Sequence, residues 1–491
     1  ALKKSHCWRK LACLLGMAVF VLSQSLPVSA KSIPYDSYNY DYREYIRYTP
    51  AAYLPAGNVD IADYVFQGSP VGKLLSPQDL CADGKGRVYV ADTGNNRIVV
   101  MDEALTRIED VIDGFINQGK EDGFNQPGGV CISEKGQIYV ADSQNRRVVV
   151  LEKDHSLARI IADPQSESLE DGFVFTPLRI AVDYADRLYV IAQNMFEGIM
   201  VFEENGKFST FFGTIDVEIS LWDKFWKRVA TKEERSKQKL YIPTEFTGLD
   251  TDPKGFVYAT NLDANGIQGV RRLNPSGVDV IKKGQNLNLG GDLQTAGTTE
   301  YAGPSQFTDV TYRENGIYSC LDRKRGRIFT YDHEGNLLYV FGGLGTQDGT
   351  FRLPTAIEEV NGKILVLDGT LCEILTFEVT EYGRLINEAT ALRYDGDEAS
   401  AVGIWERVLE LDENNELAHV GIGKAYLTAG DYKQAMKHLK IGMAREYYSV
   451  AYRRYRNEML RKGASAFLSC MVILVIALLV ARRFRKKKRR R

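Results

Sequence analysis

The chain has 491 residues, 44% hydrophobic and 26% charged, which excludes wholesale disorder and leaves room for about two to four domains. The formal net charge of −2 hides an uneven distribution: four bases and no acid in residues 1–30, nine bases in the last ten residues, and an acidic stretch between. That balance argues against a nucleic-acid binder driven by bulk charge, and five histidines argue against a histidine-rich metal enzyme.

Residues 1–30 read as a signal peptide. A basic start (Lys3, Lys4, Arg9, Lys10) precedes an apolar run from Leu11 to Leu22, and Val28-Ser29-Ala30 offers a small-residue cleavage site. An uncleaved anchor helix is the alternative. Residues 31–63 form a Tyr-rich segment, with Tyr35, Tyr38, Tyr40, Tyr42, Tyr45, Tyr48 and Tyr53. Two readings fit these rings: packing on the outer wall of the domain that follows, or a glycan-stacking surface.

Residues 64–380 repeat. GRVYVADTGNNRIVVMD starts at Gly86, GQIYVADSQNRRVVVLE at Gly136 and DRLYVIAQNMFEGIMVFE at Asp186. Weaker copies start at Gly255, Asn315 and Asn361. Each is a β-rich run, a polar turn and a second β-rich run, led in by a proline-bearing strand and mostly followed by another. Four short strands at a period of about 40–50 residues make a propeller blade, and six copies predict a mainly β, six-bladed propeller. The sixth copy lacks a fourth strand, so residues 51–62 are expected to supply it and close the ring. The copies at Gly86 and Gly136 resemble the NHL repeat, whose pattern runs G-x-V-Y-V-A-D-x-x-N-x-R-I. That resemblance implies the same six-bladed fold. It says little about activity, because such propellers host binding and catalysis alike.

Two insertions break the spacing. Residues 214–241 have helical spacing, with Leu221, Trp222, Phe225 and Trp226 on one side. Trp222, Phe225 and Trp226 are therefore candidate partner contacts, with rim packing as the plainer reading. Residues 284–303 read as a long polar loop.

Residues 381–462 turn helical. IGKAYLTAGDYKQAMKHL at 422–439 resembles a tetratricopeptide repeat, and Ala401 and Trp405 stand 34 residues before Ala435 and Leu439. The resemblance implies either a peptide-binding groove or a rigid spacer. Residues 463–481 then form a transmembrane helix, since 464–481 is uncharged and long enough to cross a bilayer. Residues 482–491 are a basic tail, expected on the cytoplasmic side with the propeller outside. Cys81, Cys131, Cys320 and Cys372 are expected as buried thiols.

Residues just after each lead-in proline should rim the central channel: Gln78, Asp79, Arg179, Glu245 and Asp309. Together they would make a polar funnel suited to a glycan or small polar ligand. Asp92, Asp142, Arg97 and Arg147 belong to the turn chemistry of the repeat and are expected to brace neighbouring blades. No catalytic constellation emerges. Zinc, which amidating-lyase propellers of the NHL type hold with several histidines, would find only His155 and His333 in the propeller. Lactonase-like propellers hold a divalent cation with carboxylates, and Asp79, Glu245 and Asp309 are the residues for calcium under that alternative. The expectation is therefore a membrane-anchored extracytoplasmic binding or scaffold protein with an envelope protein partner, without cofactor or metal, accessory to a carbohydrate uptake system. That last association is implied by resemblance to bacterial proteins joining NHL and tetratricopeptide repeats. The alternative is a metal-dependent lactonase-like hydrolase acting in the channel.

Overall fold

The computed structural model describes residues 33–488, apart from 163, 167–168, 170–171, 214–244, 264–268, 285–289 and 294–300. The leader 1–30 and the residues Trp222, Phe225 and Trp226 lie outside the described residues.

The period-two patterning builds six antiparallel sheets around one axis. Blade 1 is β6 to β9 (Asp79–Ala82, Val88–Asp92, Arg97–Met101, Ile108–Ile112). Blade 2 is β12 to β15 (Pro127–Ile132, Ile138–Asp142, Arg147–Leu151, Leu157–Ala162), and blade 3 is β16 to β19 (Pro177–Val182, Leu188–Ala192, Ile199–Phe202, Phe208–Phe212). Blade 4 shows β20 to β22 among the described residues (Phe246–Thr251, Val257–Asn261, Val270–Leu273). Blade 5 is β23 to β26 (Phe307–Tyr312, Tyr318–Asp322, Arg327–Tyr331, Leu337–Phe341). Blade 6 contributes β27 to β29 (Pro354–Val360, Lys363–Asp368, Glu373–Val379).

The fourth strand of blade 6 is β3 (Tyr53–Val59), antiparallel to Glu373–Val379 with Tyr53 opposite Val379 and Val59 opposite Ile374. Pairing the two ends of the domain removes an open sheet edge. Upstream, the hairpin of β1 (Tyr38–Tyr40) and β2 (Ile46–Tyr48) extends blade 5 beyond Leu337–Phe341, and two further short hairpins, β4 (Val65–Phe66) with β5 (Ser69–Pro70) and β10 (Gly114–Asn117) with β11 (Lys120–Gly123), precede blades 1 and 2. Tyr38, Tyr40 and Tyr53 are buried, whereas Tyr42, Tyr45 and Tyr48 face solvent. The buried rings find polar partners. The Tyr40 hydroxyl donates to Asp292, which also accepts from Arg327 at 2.9 Å.

Blades 1, 2, 5 and 6 each tie down the loop that leads into them by a buried aspartate at the end of the second strand. Asp92 accepts from the Leu75 amide (2.7 Å), Asn95 (2.8 Å) and Arg97 (2.7 Å). Asp142 repeats this with the Asn125 amide, Asn145 and Arg147. Asp322 and Asp368 accept the Gln306 amide and the Arg352 and Leu353 amides. Buried carboxylates persist only when hydrogen-bonded in this way.

Five helices follow: α1 (Glu381–Tyr394), α2 (Glu398–Leu411), α3 (Glu416–Ala429), α4 (Tyr432–Ile441) and α5 (Arg445–Lys488). Their starts are chemically marked, with Thr380, Asp397, Asn415 and Asp431 each accepting an amide of the first turn. Small residues let them pack closely. A β-carbon at Gly421 would lie 2.4 Å from the Trp405 indole nitrogen, and one at Gly423 would lie 2.6 Å from Leu439. One apolar cluster runs from Tyr53, Tyr339 and Phe341 of the propeller into Tyr382, Leu385, Trp405 and Ile422 of the helices. Beside it, Glu334 from the turn between β25 and β26 accepts from Arg393 and from Lys424 at 3.0 Å. Burial pushes the Glu334 carboxyl up, but these two cations outweigh it and hold it at about 2. The helices are thus fixed to blades 5 and 6. α5 then carries the one helix among the described residues long and apolar enough to cross a membrane.

Candidate functional site

Five of the six inner strands begin with a β-bulge, at 127/129, 177/179, 246/248, 307/309 and 354/356. A bulge re-aims the next side chain, and here it turns one residue per blade toward the axis. Aligned on the bulge, the upper ring reads Asp79, Gly129, Arg179, Gly248, Asp309 and Ala356. Strand periodicity brings the second residue onward to the same face. The lower ring therefore reads Cys81, Cys131, Ala181, Asp250, Thr311 and Glu358. Asp79, Arg179 and Asp309 of the upper ring and Cys81, Cys131, Ala181, Asp250 and Glu358 of the lower line a cavity of about 100 Å³ on the propeller axis.

The upper ring is occupied by its own side chains. Arg179, from blade 3, extends to the far side of the channel. Its Nη1 donates to Asp79 Oδ1 of blade 1, and its Nη2 donates to the Thr355 carbonyl of blade 6 at 2.7 Å. Gly129 and Gly248 leave room for the long side chains. A β-carbon at Gly129 would meet the Leu178 carbonyl at 2.9 Å and the Asp79 carboxylate at 3.2 Å, and one at Gly248 would come within 2.5 Å of Asp309.

The carboxylates join blades together. Inner strands have a free edge, and its N–H groups need acceptors. Asp79 Oδ2 accepts from the Val130 amide (3.0 Å), Asp309 Oδ2 from the Ile357 amide (2.9 Å) and Asp250 Oδ2 from the Tyr312 amide (2.5 Å). Glu358 accepts from the Thr311 hydroxyl at 3.0 Å. Hydroxyls do the reverse duty, with Thr93, Ser143 and Thr247 donating to the Pro127, Pro177 and Phe307 carbonyls.

Burial dominates the proton affinities here. It pushes Asp309 up to about 7 against the pull of Arg179, and Asp250 up to about 7. It raises Asp79 too, again opposed by Arg179. Glu358 is raised well above the carboxylate range by burial and by the charge of Asp250. Cys81 and Cys131 are pushed up by burial, so both stay thiols and are poor nucleophiles.

Of the expected rim residues, the structure brings Asp79, Arg179 and Asp309 together in the upper ring. Gln78 is half-buried one residue earlier, with its amide donating to the Ser76 carbonyl at 3.3 Å. Glu245 is not in the ring. It is exposed one residue ahead of β20, because Pro243, like Pro304 of blade 5, lies three residues further upstream of the ring than the prolines of the other four blades. Gly248 holds the ring position instead. Asp250 and Glu358 were missed, although the two-residue strand period applied to Asp79 and Arg179 points to their rows. Cys81, Cys131 and Cys372 are half-buried rather than buried, and only Cys320 is fully enclosed; the described cysteines form no disulfide.

A calcium ion held by Asp79, Glu245 and Asp309 does not fit this geometry. A guanidinium already sits on Asp79 Oδ1, backbone amides take Asp79 Oδ2 and Asp309 Oδ2, and Glu245 is outside the cavity. Among the described residues no group of three or more His, Cys, Asp or Glu is arranged to hold a metal.

The NHL repeat matches residues 74–101 and 124–151, which lie within blades 1 and 2. No curated protein matches the sequence. Among solved structures, Staphylococcus aureus virginiamycin B lyase is 12% identical, with a TM-score of 0.37 over 62% of this chain and 95% of that one. A Bacteroides thetaiotaomicron protein of unknown function is 16% identical, with a TM-score of 0.43 over 65% and 73%. Kuenenia stuttgartiensis hydrazine synthase is 9% identical, with a TM-score of 0.38 over 64% and 99%. With the blades, the closing strand and the two matched repeats in place, this chain is a six-bladed β-propeller that carries NHL repeats in blades 1 and 2 and is followed by C-terminal helices.

Proposed function

We propose that the protein is a membrane-tethered binding or scaffold protein whose propeller stands outside the membrane and engages an envelope protein, as an accessory to a carbohydrate uptake system. One observation carries the choice of binding over catalysis: Arg179 crosses the channel and is paired at both ends, to Asp79 and to the Thr355 carbonyl. A catalytic channel needs groups held free for substrate, whereas these hold neighbouring blades. The helices support the tether reading. They share one apolar cluster with blades 5 and 6, and α5 continues from them into an apolar stretch of mean hydropathy 2.8. On this reading the tetratricopeptide-like helices set the propeller at a fixed stance over the bilayer, and the basic tail holds the inner leaflet. The hydrolase reading draws its support from Asp250 and Glu358, two carboxyls of raised proton affinity in one cavity. The hydrogen bonds to blade 5 account for both without a substrate.

The test is site-directed photo-crosslinking on membranes, with the probe placed on the propeller faces. The expected result is one discrete adduct, reproduced from several positions on one face and absent from the opposite face. Uniform labelling without a discrete adduct, together with lactone hydrolysis by the purified protein, would overturn the proposal.

A further inference from the structure

Two of the five histidines of the chain meet in the helical module. His419 lies in the first turn of α3 and His438 in the last turn of α4. Their Nδ1 atoms are 3.2 Å apart and their ring planes are inclined by 44°. Both rings are half-buried, so one side of the pair stays open to water. From these atoms we infer that His419 and His438 form a two-imidazole chelate for a late first-row divalent cation, copper, nickel or zinc, which clamps α3 to α4.

The spacing suits such an ion. Zinc binds imidazole nitrogen at about 2.0–2.1 Å, so a tetrahedral ion sets two ligand nitrogens about 3.3–3.4 Å apart. A cis pair on square-planar copper stands about 2.8–3.0 Å apart at the same bond length. The observed 3.2 Å falls between. Small ring rotations aim both lone pairs at a point about 1.3 Å off the line joining the nitrogens, with water completing the coordination.

The surroundings favour neutral ligands. Burial holds both rings below the usual histidine range, helped at His419 by its partner ring and at both by the Lys437 cation. The Glu413 backbone carbonyl accepts from the His419 ring and orients it, as outer partners of metal-bound histidines do. The Tyr426 ring packs on His438 with centroids 5.8 Å apart. Without metal, one Nδ1–H donates to the other Nδ1. On binding, that proton moves to Nε2 of the same ring, so the neutral pair takes the ion without net proton release. Because α4 leads directly into α5, the clamp would stiffen the last joint before the membrane stretch.

The test uses the full-length protein in detergent, free of any histidine tag, titrated with ZnCl₂, NiCl₂ and CuCl₂ in a calorimeter. The expected result is one ion per chain, with copper bound more tightly than zinc, as the general order of divalent affinities requires. His419→Gln and His438→Gln should each weaken zinc by about tenfold or more. His155→Gln, at the propeller histidine 3.1 Å from Asp110, should leave it unchanged. Since a glutamine can disturb the helix pair, His438→Cys supplies a second ligand type and should retain zinc. Absence of saturable binding to the unaltered protein would overturn the inference, as would full affinity in both glutamine variants.

Discussion

Replacing Arg179 by methionine keeps most of its apolar stem and removes the guanidinium. Asp79 then loses its only charged partner among the described residues, the Thr355 carbonyl loses a donor, and Asp309 loses the cation that opposes its rise. The Arg179 and Asp79 side chains are only 12% and 10% exposed, so water cannot replace the lost contacts cheaply. Removing one member of a buried ion pair costs about 3–5 kcal/mol, and for a domain of this size that lowers the melting temperature by on the order of 5–10 °C. The cost must depend on pH. Asp309 and Asp250 are raised from 3.8 to about 7, so the folded state binds more protons than the unfolded chain between those values. Stability from these groups is fully present below about pH 4 and is lost as pH rises through about 7. Without Arg179 the Asp309 and Asp79 carboxyls rise further, and the penalty should be largest at pH 8 and much smaller at pH 5. Thermal melts of both proteins at the two pH values measure this. Equal penalties, or none, would refute the view that Arg179 neutralises the upper ring.

Asp92→Ala and Asp142→Ala each take the acceptor from a loop amide and from an arginine Nε, while Arg97 keeps the Val71 carbonyl and Arg147 keeps Asp122, and each should cost roughly 1–3 kcal/mol in urea melts. A loss below about 1 kcal/mol would deny them the bracing role. Glu334→Gln should weaken docking of the helices by about 1.5–3 kcal/mol, read as faster proteolysis near residues 395–397. Because Glu334 is lowered from 4.5 to about 2, its contribution is present above pH 4.5 and fades as pH falls toward 2, so the variant and parent should converge in acid. Deleting residues 31–62 removes the strand paired with Glu373–Val379 and should produce aggregation, and an unchanged melting curve would show another route to closure. Protease added to intact spheroplasts should digest the propeller and spare the tail, and full protection of the propeller would contradict the proposed topology.

The blades were legible because hairpins recur every fifty residues from Gly86 to Asp186, and period-two apolar runs can be buried only as strands. Asp79 and Arg179 were legible as ring members because their prolines start the strand at the same offset. The rule of a short offset does not hold at blades 4 and 5, where three extra residues separate Pro243 and Pro304 from the ring, and Glu245, which stands at the short offset, falls outside. It stopped one step short at Asp250 and Glu358, where the strand period carries the next side chain to the same face. What Arg179 does was not legible at all. An arginine among acids suggested ligand contact, and only the two glycines beside it and the carbonyl opposite reveal a side chain that spans the channel. The His419–His438 pair was equally hidden, since 19 residues separate them and their meeting depends on how α3 packs on α4.

The central proposal is that the upper ring of the channel is taken up by its own bracing residues and serves no metal-dependent hydrolysis. Calorimetry of the full-length protein with CaCl₂, run beside an assay of sugar-lactone hydrolysis on the same sample, tests it most directly. The account predicts no tight calcium site in the channel and no hydrolysis above the uncatalysed rate. One tight calcium site per chain with lactone turnover, both abolished by Asp79→Ala, would contradict it.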